Sequence, residues 1–288
     1  MIGVFDSGHG GLTVLQAFER HLPEQDFLYL GDHGHAPYGS RSPGEIFHLT
    51  QKAVDWLFQQ GCRLVILACN TASAVALRRL QQEWLPVVDP RRRILGVIVP
   101  TVEAVTGVPW KQTVPGENPA GSKLVAAFAT PRTVESGAFV REIACRAPQI
   151  RVVQQACPNL AARIEASASR DELDALVRGY AKTLLDQTQG QGPDTVLLGC
   201  THYPLVEDLF RKALPPGTAI LSQPDLVAES LKEYLRRWPG FGRNNRDRRE
   251  GHDTSTSLRS RLFTTGDPAA VTRSASHLLG CELVFVAV

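Results

Sequence analysis

Short apolar runs alternate with amphipathic stretches of helical length over most of this chain. Runs at 2–5, 27–31, 64–68, 94–98, 124–129 and 152–155, then at 196–199, 219–222, 262–265 and 283–286, are short and rich in aliphatic residues, which predicts strands. The stretch 43–60 has helical spacing, and Ser42 followed by Glu45 predicts an N-cap with a capping box. Segments 173–185 and 226–235 repeat that spacing and are read as core faces of helices. The alternation of strand and helix predicts an α/β fold. Runs 64–68 and 195–199 are almost wholly apolar, as expected of parallel strands covered on both faces. Open α/β sheets place their chemistry beyond the carboxyl ends of such strands.

Both of these runs end on a cysteine, Cys69 in Ala68-Cys69-Asn70-Thr71 and Cys200 in Gly199-Cys200-Thr201-His202. A helical pattern follows each, so a helix N-terminus beside each sulfur is expected to favour thiolate. Core packing is the default for an isolated cysteine. The paired arrangement points instead to a two-thiol acid/base site, with Asn70, Thr71, Thr201 and His202 as donors for a substrate carboxylate. After the first strand, Asp6-Ser7-Gly8-His9-Gly10-Gly11 puts a carboxylate and a hydroxyl ahead of glycines that permit close backbone approach. A tight turn capped by Asp6 is the alternative. The glycine spacing fits neither a dinucleotide fingerprint nor a P-loop. In Gly31-Asp32-His33-Gly34-His35-Ala36-Pro37-Tyr38-Gly39-Ser40 the two histidines hint at a metal, but without a third ligand at matching spacing they are read as loop residues.

Composition narrows the class. With 288 residues, 43% hydrophobic and 21% charged, the chain is large enough for two domains of a soluble protein. The net charge of +2 is nearly balanced and the basic residues are scattered, which argues against nucleic acid as the main partner. The opening Met1-Ile2-Gly3-Val4-Phe5 lacks a basic signal region, and no apolar run is long enough to span a bilayer, so no membrane association and a cytoplasmic location are expected. The six cysteines are then expected to be reduced, and the absence of a CxxC pair weakens zinc and redox readings. Texture breaks at 108–122, a domain crossing or a loop, and at 238–258, read as an exposed flexible insertion.

Asp6-Ser7-Gly8, Pro37-Tyr38-Gly39, Ala68-Cys69-Asn70-Thr71-Ala72-Ser73-Ala74 and Gly199-Cys200-Thr201-His202-Tyr203-Pro204-Leu205 together resemble the signature blocks of bacterial glutamate racemase, of the cofactor-independent aspartate/glutamate racemase superfamily. The resemblance runs the length of the chain, and Ala129-Thr130 with Thr133 and Ser136, Ala156-Cys157-Pro158 with Glu165, and Thr264-Thr265-Gly266-Asp267 agree in order. It implies interconversion of L- and D-glutamate without cofactor or metal, supplying D-glutamate for peptidoglycan, by an enzyme expected to be a homodimer. Cys69 would work on the D-glutamate face and Cys200 on the L-glutamate face, with Asp6 helping the first and His202 and Glu165 the second. Asp6, Ser7, Tyr38, Gly39, Asn70, Thr71, Thr201 and His202 would bind substrate. Two similar α/β domains with mainly parallel sheets flanked by helices are expected to face each other across a cleft holding the active site. The first would comprise 1–97 plus 214–288, the second 98–213.

The chain departs from the pattern at His9, where a small apolar residue is more frequent, and at Phe139, where tyrosine is. His9 is expected to alter substrate access or the pKa of a nearby acid, and so rate and pH optimum. Cys157 is not one of the two bases, and Cys62, Cys145 and Cys281 are read as buried apolar residues. The enzymatic alternatives are aspartate racemase, hydantoin racemase or arylmalonate decarboxylase, the last needing only one cysteine. A non-catalytic binding protein of the same fold is the alternative of another class, since some relatives bind DNA gyrase.

Overall fold

The computed structural model describes residues 1–109, 124–242 and 259–288. Its ten strands are β1 (Ile2–Asp6), β2 (Phe27–Gly31), β3 (Leu64–Leu67), β4 (Arg93–Gly96), β5 (Leu124–Ala129), β6 (Arg151–Ala156), β7 (Thr195–Gly199), β8 (Ala219–Leu221), β9 (Arg261–Thr264) and β10 (Phe285–Ala287). They form two sheets, of order β10-β9-β2-β1-β3-β4 and β6-β5-β7-β8, with every pairing parallel. Strands β1, β2, β3, β5 and β7 are buried throughout, the physical reason for their unbroken apolar runs. Each sheet is covered on both faces, the first by clusters around Phe18 and Phe58, the second by clusters around Phe210 and Phe139.

In the first sheet the chain steps from β1 to β2 on one side and to β3 on the other; in the second it steps from β5 to β6 and to β7 in the same way. Each sheet therefore has one crevice where the winding direction reverses, at β1/β3 and at β5/β7, and such crevices are where open sheets bind ligands. Cys69 follows β3 and Cys200 follows β7, so the thiols occupy equivalent places in the two sheets.

The helix Pro43–Gln59 begins with the capping box foreseen at Ser42 and Glu45, both reciprocal hydrogen bonds being present. Three expectations need correction. The run 94–98 is divided, because Ile98 opens the helix Ile98–Thr106, whose Val102 and Val105 pack with Val125 and Ala127 of the second sheet. The return to the first domain comes after Leu221 and not at 214, because β8 pairs with β7. Of the insertion at 238–258, residues 238–242 are structured: Pro239–Phe241 is a 3₁₀ turn whose Phe241 ring packs on Tyr234. The remainder, 243–258, and residues 110–122 of the other break lie outside the described residues.

The returning helix Gln223–Arg237 packs on the helix Gly11–His21, tying the late part of the chain to the loop after β1. Phe18 anchors that contact, fully buried and stacked on Phe27 at 5.4 Å between ring centroids. Phe18→Ala is expected to lower stability by about 3–5 kcal/mol, through lost transfer energy and a cavity, measured as a drop in the urea midpoint. A midpoint within error of the parent would show that this contact does not hold the late segment in place.

Candidate active site

The loop after β1 is pressed against the second domain. A side-chain carbon at Gly8 would fall on the Glu165 carboxylate, and one at Gly10 on Thr201 and His202, so glycine is required by close approach. Asp6, fully buried, accepts from Gly8 N–H at 2.9 Å and from Thr201 Oγ1 at 3.2 Å, the second bond crossing between domains. Burial pushes the Asp6 carboxyl up to about 6; the His202 charge opposes that rise without cancelling it.

Cys69 caps the short helix Asn70–Val75, its Sγ accepting from Ala72 N–H at 3.4 Å and lying 3.4 Å from Ser7 Oγ. The expectation that this helix end favours thiolate is overturned. Burial, with the nearby Asp6 charge, pushes the Cys69 thiol up to about 12 against the help of Ser7 and Ala72.

Cys200 needs a different correction: no α-helix starts beside it, and the chain turns through Thr201 and His202 into the 3₁₀ segment Tyr203–Val206. Its Sγ faces His202 Nδ1 at 3.7 Å, while His202 Nε2 lies 2.7 Å from Glu165 Oε1. Burial would lower the His202 imidazole, but the Glu165 carboxylate, together with Cys200, raises it well above the ordinary histidine value. Glu165 in turn lies well below the carboxylate range: burial opposes this, and the His202 charge with hydrogen bonds from His202 and His9 prevails. A cationic imidazole beside a sulfur is the arrangement that favours thiolate.

Around these groups lie hydroxyls and amides drawn from distant segments. Thr71 Oγ1 is 3.0 Å from Thr130 Oγ1 and 3.3 Å from that of Thr133, and the last two are 3.0 Å apart, a triangle of hydroxyls joining the domains. Asn70 and Gln223 exchange two amide hydrogen bonds at 2.6 and 3.0 Å, and Gln223 also donates to Thr101 at 2.8 Å. Tyr38 donates to Asp32 at 2.6 Å, and Asp32 also accepts from Thr265 at 2.6 Å, fixing the segment that carries Gly39.

The two halves enclose a cavity of about 320 Å³. Ser7, Tyr38, Gly39, Cys69, Asn70, Thr71, Glu165, Cys200, Thr201 and His202 all line it. Asp6 and His9 do not line it; both sit behind the wall, His9 against Glu165. The structure adds Gln223, Asp32 and the lining residue Arg132, whose guanidinium donates to Arg41 O at 2.8 Å. Gln223 stands 153 positions from Asn70 and belongs to no local pattern, so no sequence signal marks it. Asp32 could have been found as a carboxylate at the tip of a buried strand. Among the other cysteines, Cys62 is buried and Cys157 lines the cavity, but Cys145 is exposed and Cys281, at the margin of the first sheet's core, is half-buried. Phe139 is fully buried against Gly199 and has no hydroxyl to offer. The arrangement suits a small polar molecule held between two thiols.

Comparisons agree with this architecture. The chain is 44% identical over 292 residues to the glutamate racemase of Phenylobacterium zucineum, covering 99% of this chain and 98% of that one. It is 46% identical over 288 residues to the glutamate racemase of Cereibacter sphaeroides, with 99% of each covered. The crystal structure of the glutamate racemase isoform RacE1 from Bacillus anthracis superposes with a TM-score of 0.80 at 30% identity, covering 100% of this chain and 97% of that one. No family model matches the chain.

The buried Asp6 makes a pH-dependent stability testable. Its folded pKa of about 6 exceeds the ordinary 3.8, so its favourable contribution is complete below pH 3.8 and is lost as pH rises through 6. Asp6→Asn cannot ionise and keeps the shape. The stability of the variant relative to the parent should therefore rise by up to about 3 kcal/mol between pH 4 and pH 7 in denaturant unfolding. A pH-independent difference would mean that Asp6 is not held up by burial.

Proposed function

The chain belongs to the glutamate racemase family of amino-acid racemases, and from that premise we propose that it interconverts L- and D-glutamate by two-cysteine acid/base catalysis without a cofactor. The observation that carries this reading is the placement of Cys69 and Cys200 at equivalent crevices of two sheets, lining one cavity. Racemisation at a carbon acid needs a base on one face and an acid on the other, because the proton must return from the side opposite to its departure. Cys200 would take the Cα proton of L-glutamate and Cys69 would deliver one to the other face. From D-glutamate the roles exchange.

The surroundings of the two thiols differ. Cys69, pushed up to about 12 by burial and the Asp6 charge, holds its proton and is ready as acid, whereas Cys200 faces the cationic His202, the neighbour this reading gives it when it acts as the base for L-glutamate. For D-glutamate, Cys69 must lose its proton; the substrate ammonium brings a positive charge near it, and a proton on Asp6 removes the negative charge that holds the thiol up.

The hydroxyl and amide groups answer the larger energetic problem. If the carbon acid is weaker than the thiol by about ten pKa units, proton transfer is uphill by about 14 kcal/mol before stabilisation. Preorganised donors around the α-carboxylate, where charge develops, are the strongest remedy available to an enzyme without a cofactor. Ser7, Asn70, Thr71 and Thr201 supply them in this reading, with Tyr38 and Gly39 closing one wall; the lining Arg132 is already paired with Glu135. The product would serve as D-glutamate for peptidoglycan.

Cys69→Ser and Cys200→Ser are each expected to lower racemisation at least about 100-fold, since a serine hydroxyl is far too weak an acid to serve as the base. The assay is polarimetric, from each pure enantiomer without added cofactor, with unfolding curves confirming that the variants fold. In deuterated solvent the parent should place deuterium at Cα of the product from either enantiomer. More than about a tenth of parental turnover in either variant would exclude the two-base scheme.

A further inference from the structure

The loop after β1 carries a buried imidazole for which the scheme above has no use. His9 is 7% exposed, and neither ring nitrogen finds a hydrogen-bond partner among the described groups. Buried polar atoms are ordinarily paired, so an unpaired ring calls for a reason. Its surroundings supply one. The His9 backbone N–H donates to Glu165 Oε1 at 2.8 Å, and the ring Nδ1 lies 3.3 Å from that same oxygen, close enough for an ion pair but out of line for a hydrogen bond. This oxygen is also the one that His202 contacts through Nε2 at 2.7 Å. One carboxylate oxygen thus faces two imidazoles from two domains.

The remaining neighbours leave His9 little other company. The His33 ring meets the His9 ring edge-on, with 4.4 Å between centroids. His33 turns its Nδ1 to Thr264 Oγ1 at 2.9 Å and Gly31 O at 3.1 Å, and its Nε2 is also buried without a partner. Burial, with His9 beside it, pushes His33 down to about 4, so this second ring stays neutral across the working range. Asp6, at the foot of the loop, spends its carboxylate on Gly8 and Thr201. The titratable groups facing the His9 ring are therefore Glu165 and His33, with His202 and Cys200 behind Glu165 and Asp6 below.

We propose that His9 is a positioning residue that competes with His202 for the Glu165 carboxylate, and so adjusts how firmly the cation beside Cys200 is held. With a proton on Nδ1, the His9 ring swings into line with Glu165 Oε1 and draws charge from the His202 contact. Without that competition the His9 backbone N–H still holds Glu165 but its ring does not, and the cation facing Cys200 is at its strongest. The loop glycines make this coupling feasible, because Gly8 and Gly10 let the loop lie directly on Glu165 and His202. The proposal rests on the reading of Cys200 as the base for L-glutamate only for its kinetic consequence; the coupling of the two imidazoles stands on the geometry.

The test is a histidine NMR titration of the full chain, selectively ¹³C-labelled at histidine, in the parent, His9→Val and His9→Gln. The His202 signal is assigned from His202→Gln. Two imidazoles on one carboxylate titrate as a pair, so the parent His202 curve should show two inflections. Both variants should show one, with the His202 midpoint in His9→Val raised by roughly one pH unit, the scale at which coupled steps separate. His9→Gln keeps a donor for Glu165 and serves where the valine variant does not fold. A His202 curve unchanged in either folded variant would overturn the coupling and reduce His9 to a filler of space.

The kinetic arm separates this proposal from the reading beneath it. Since the two enantiomers are equal in energy, kcat/KM must match in the two directions at every pH, and the effect can only show in separate kcat values. The ratio of kcat from L-glutamate to kcat from D-glutamate should vary with pH in the parent, and His9→Val should remove the part of that variation that follows the His202 titration while leaving the part near pH 6 that belongs to Asp6. NMR coupling with a ratio that varies alike in the parent and His9→Val would retain the imidazole competition and overturn its link to Cys200. Loss of the coupling, with Cys200→Ser still inactive, would overturn the His9 proposal and leave the two-thiol scheme intact.

Discussion

The contact between Glu165 and the loop at residues 6–11 is the constraint on which the rest of the site depends. Glu165 is part of the second domain, yet its Oε1 accepts from the His9 backbone of the first at 2.8 Å and from His202 at 2.7 Å. Separating this half-buried carboxylate from the buried imidazolium would be costly, because the imidazolium would be left unpaired in a poor solvent for ions. The loop can reach this pair only because residues 8 and 10 have no side chain. The contact between the domains and the charge beside Cys200 therefore share one carboxylate oxygen. A domain opening wide enough to pull the loop away would remove the backbone donor that helps keep Glu165 ionised.

From this follows the inequality of the two thiols, despite their matching places in the two sheets. Cys200 faces an imidazole that is itself fixed by a carboxylate, whereas Cys69 has only a serine hydroxyl and a backbone N–H, with the fully buried Asp6 raising rather than lowering its thiol. The two thiols thus match in their place in the fold and differ in their surroundings.

The polar lining is organised by the same economy of partners. Asn70 has both amide atoms engaged by Gln223, which fixes its orientation and turns its remaining hydrogen to other use. Thr71, Thr130 and Thr133 close a hydroxyl triangle in which at most three protons serve three mutual contacts, so directions can rearrange when an anion arrives. Tyr38 is tied to Asp32, and Asp32 to Thr265. Preorganisation of this kind places donors where charge develops without reorienting them during the reaction.

Much of this was legible in the amino-acid order alone. The five strands buried throughout, β1, β2, β3, β5 and β7, announce themselves as apolar runs, since a parallel strand covered on both faces tolerates few polar residues, and Ser42 with Glu45 marks a helix start through local hydrogen bonding. The positions of Cys69 and Cys200 after two such runs, and the glycines after Asp6, are equally local facts. Other features were decided only in three dimensions. Whether the thiol at Cys69 is raised or lowered depends on the balance of burial against one short helix end, and burial prevails. Cys200 owes its partner to Glu165, brought 35 residues back along the chain by the second sheet, and the pairing of β8 with β7 moves the domain return beyond Leu221. Gln223 reaches Asn70 across 153 positions, and His9 finds Glu165 across 156. Periodicity records which face of an element is covered; it carries no information about which distant polar atom the covered face meets, because that is settled by how two separately built domains fit together.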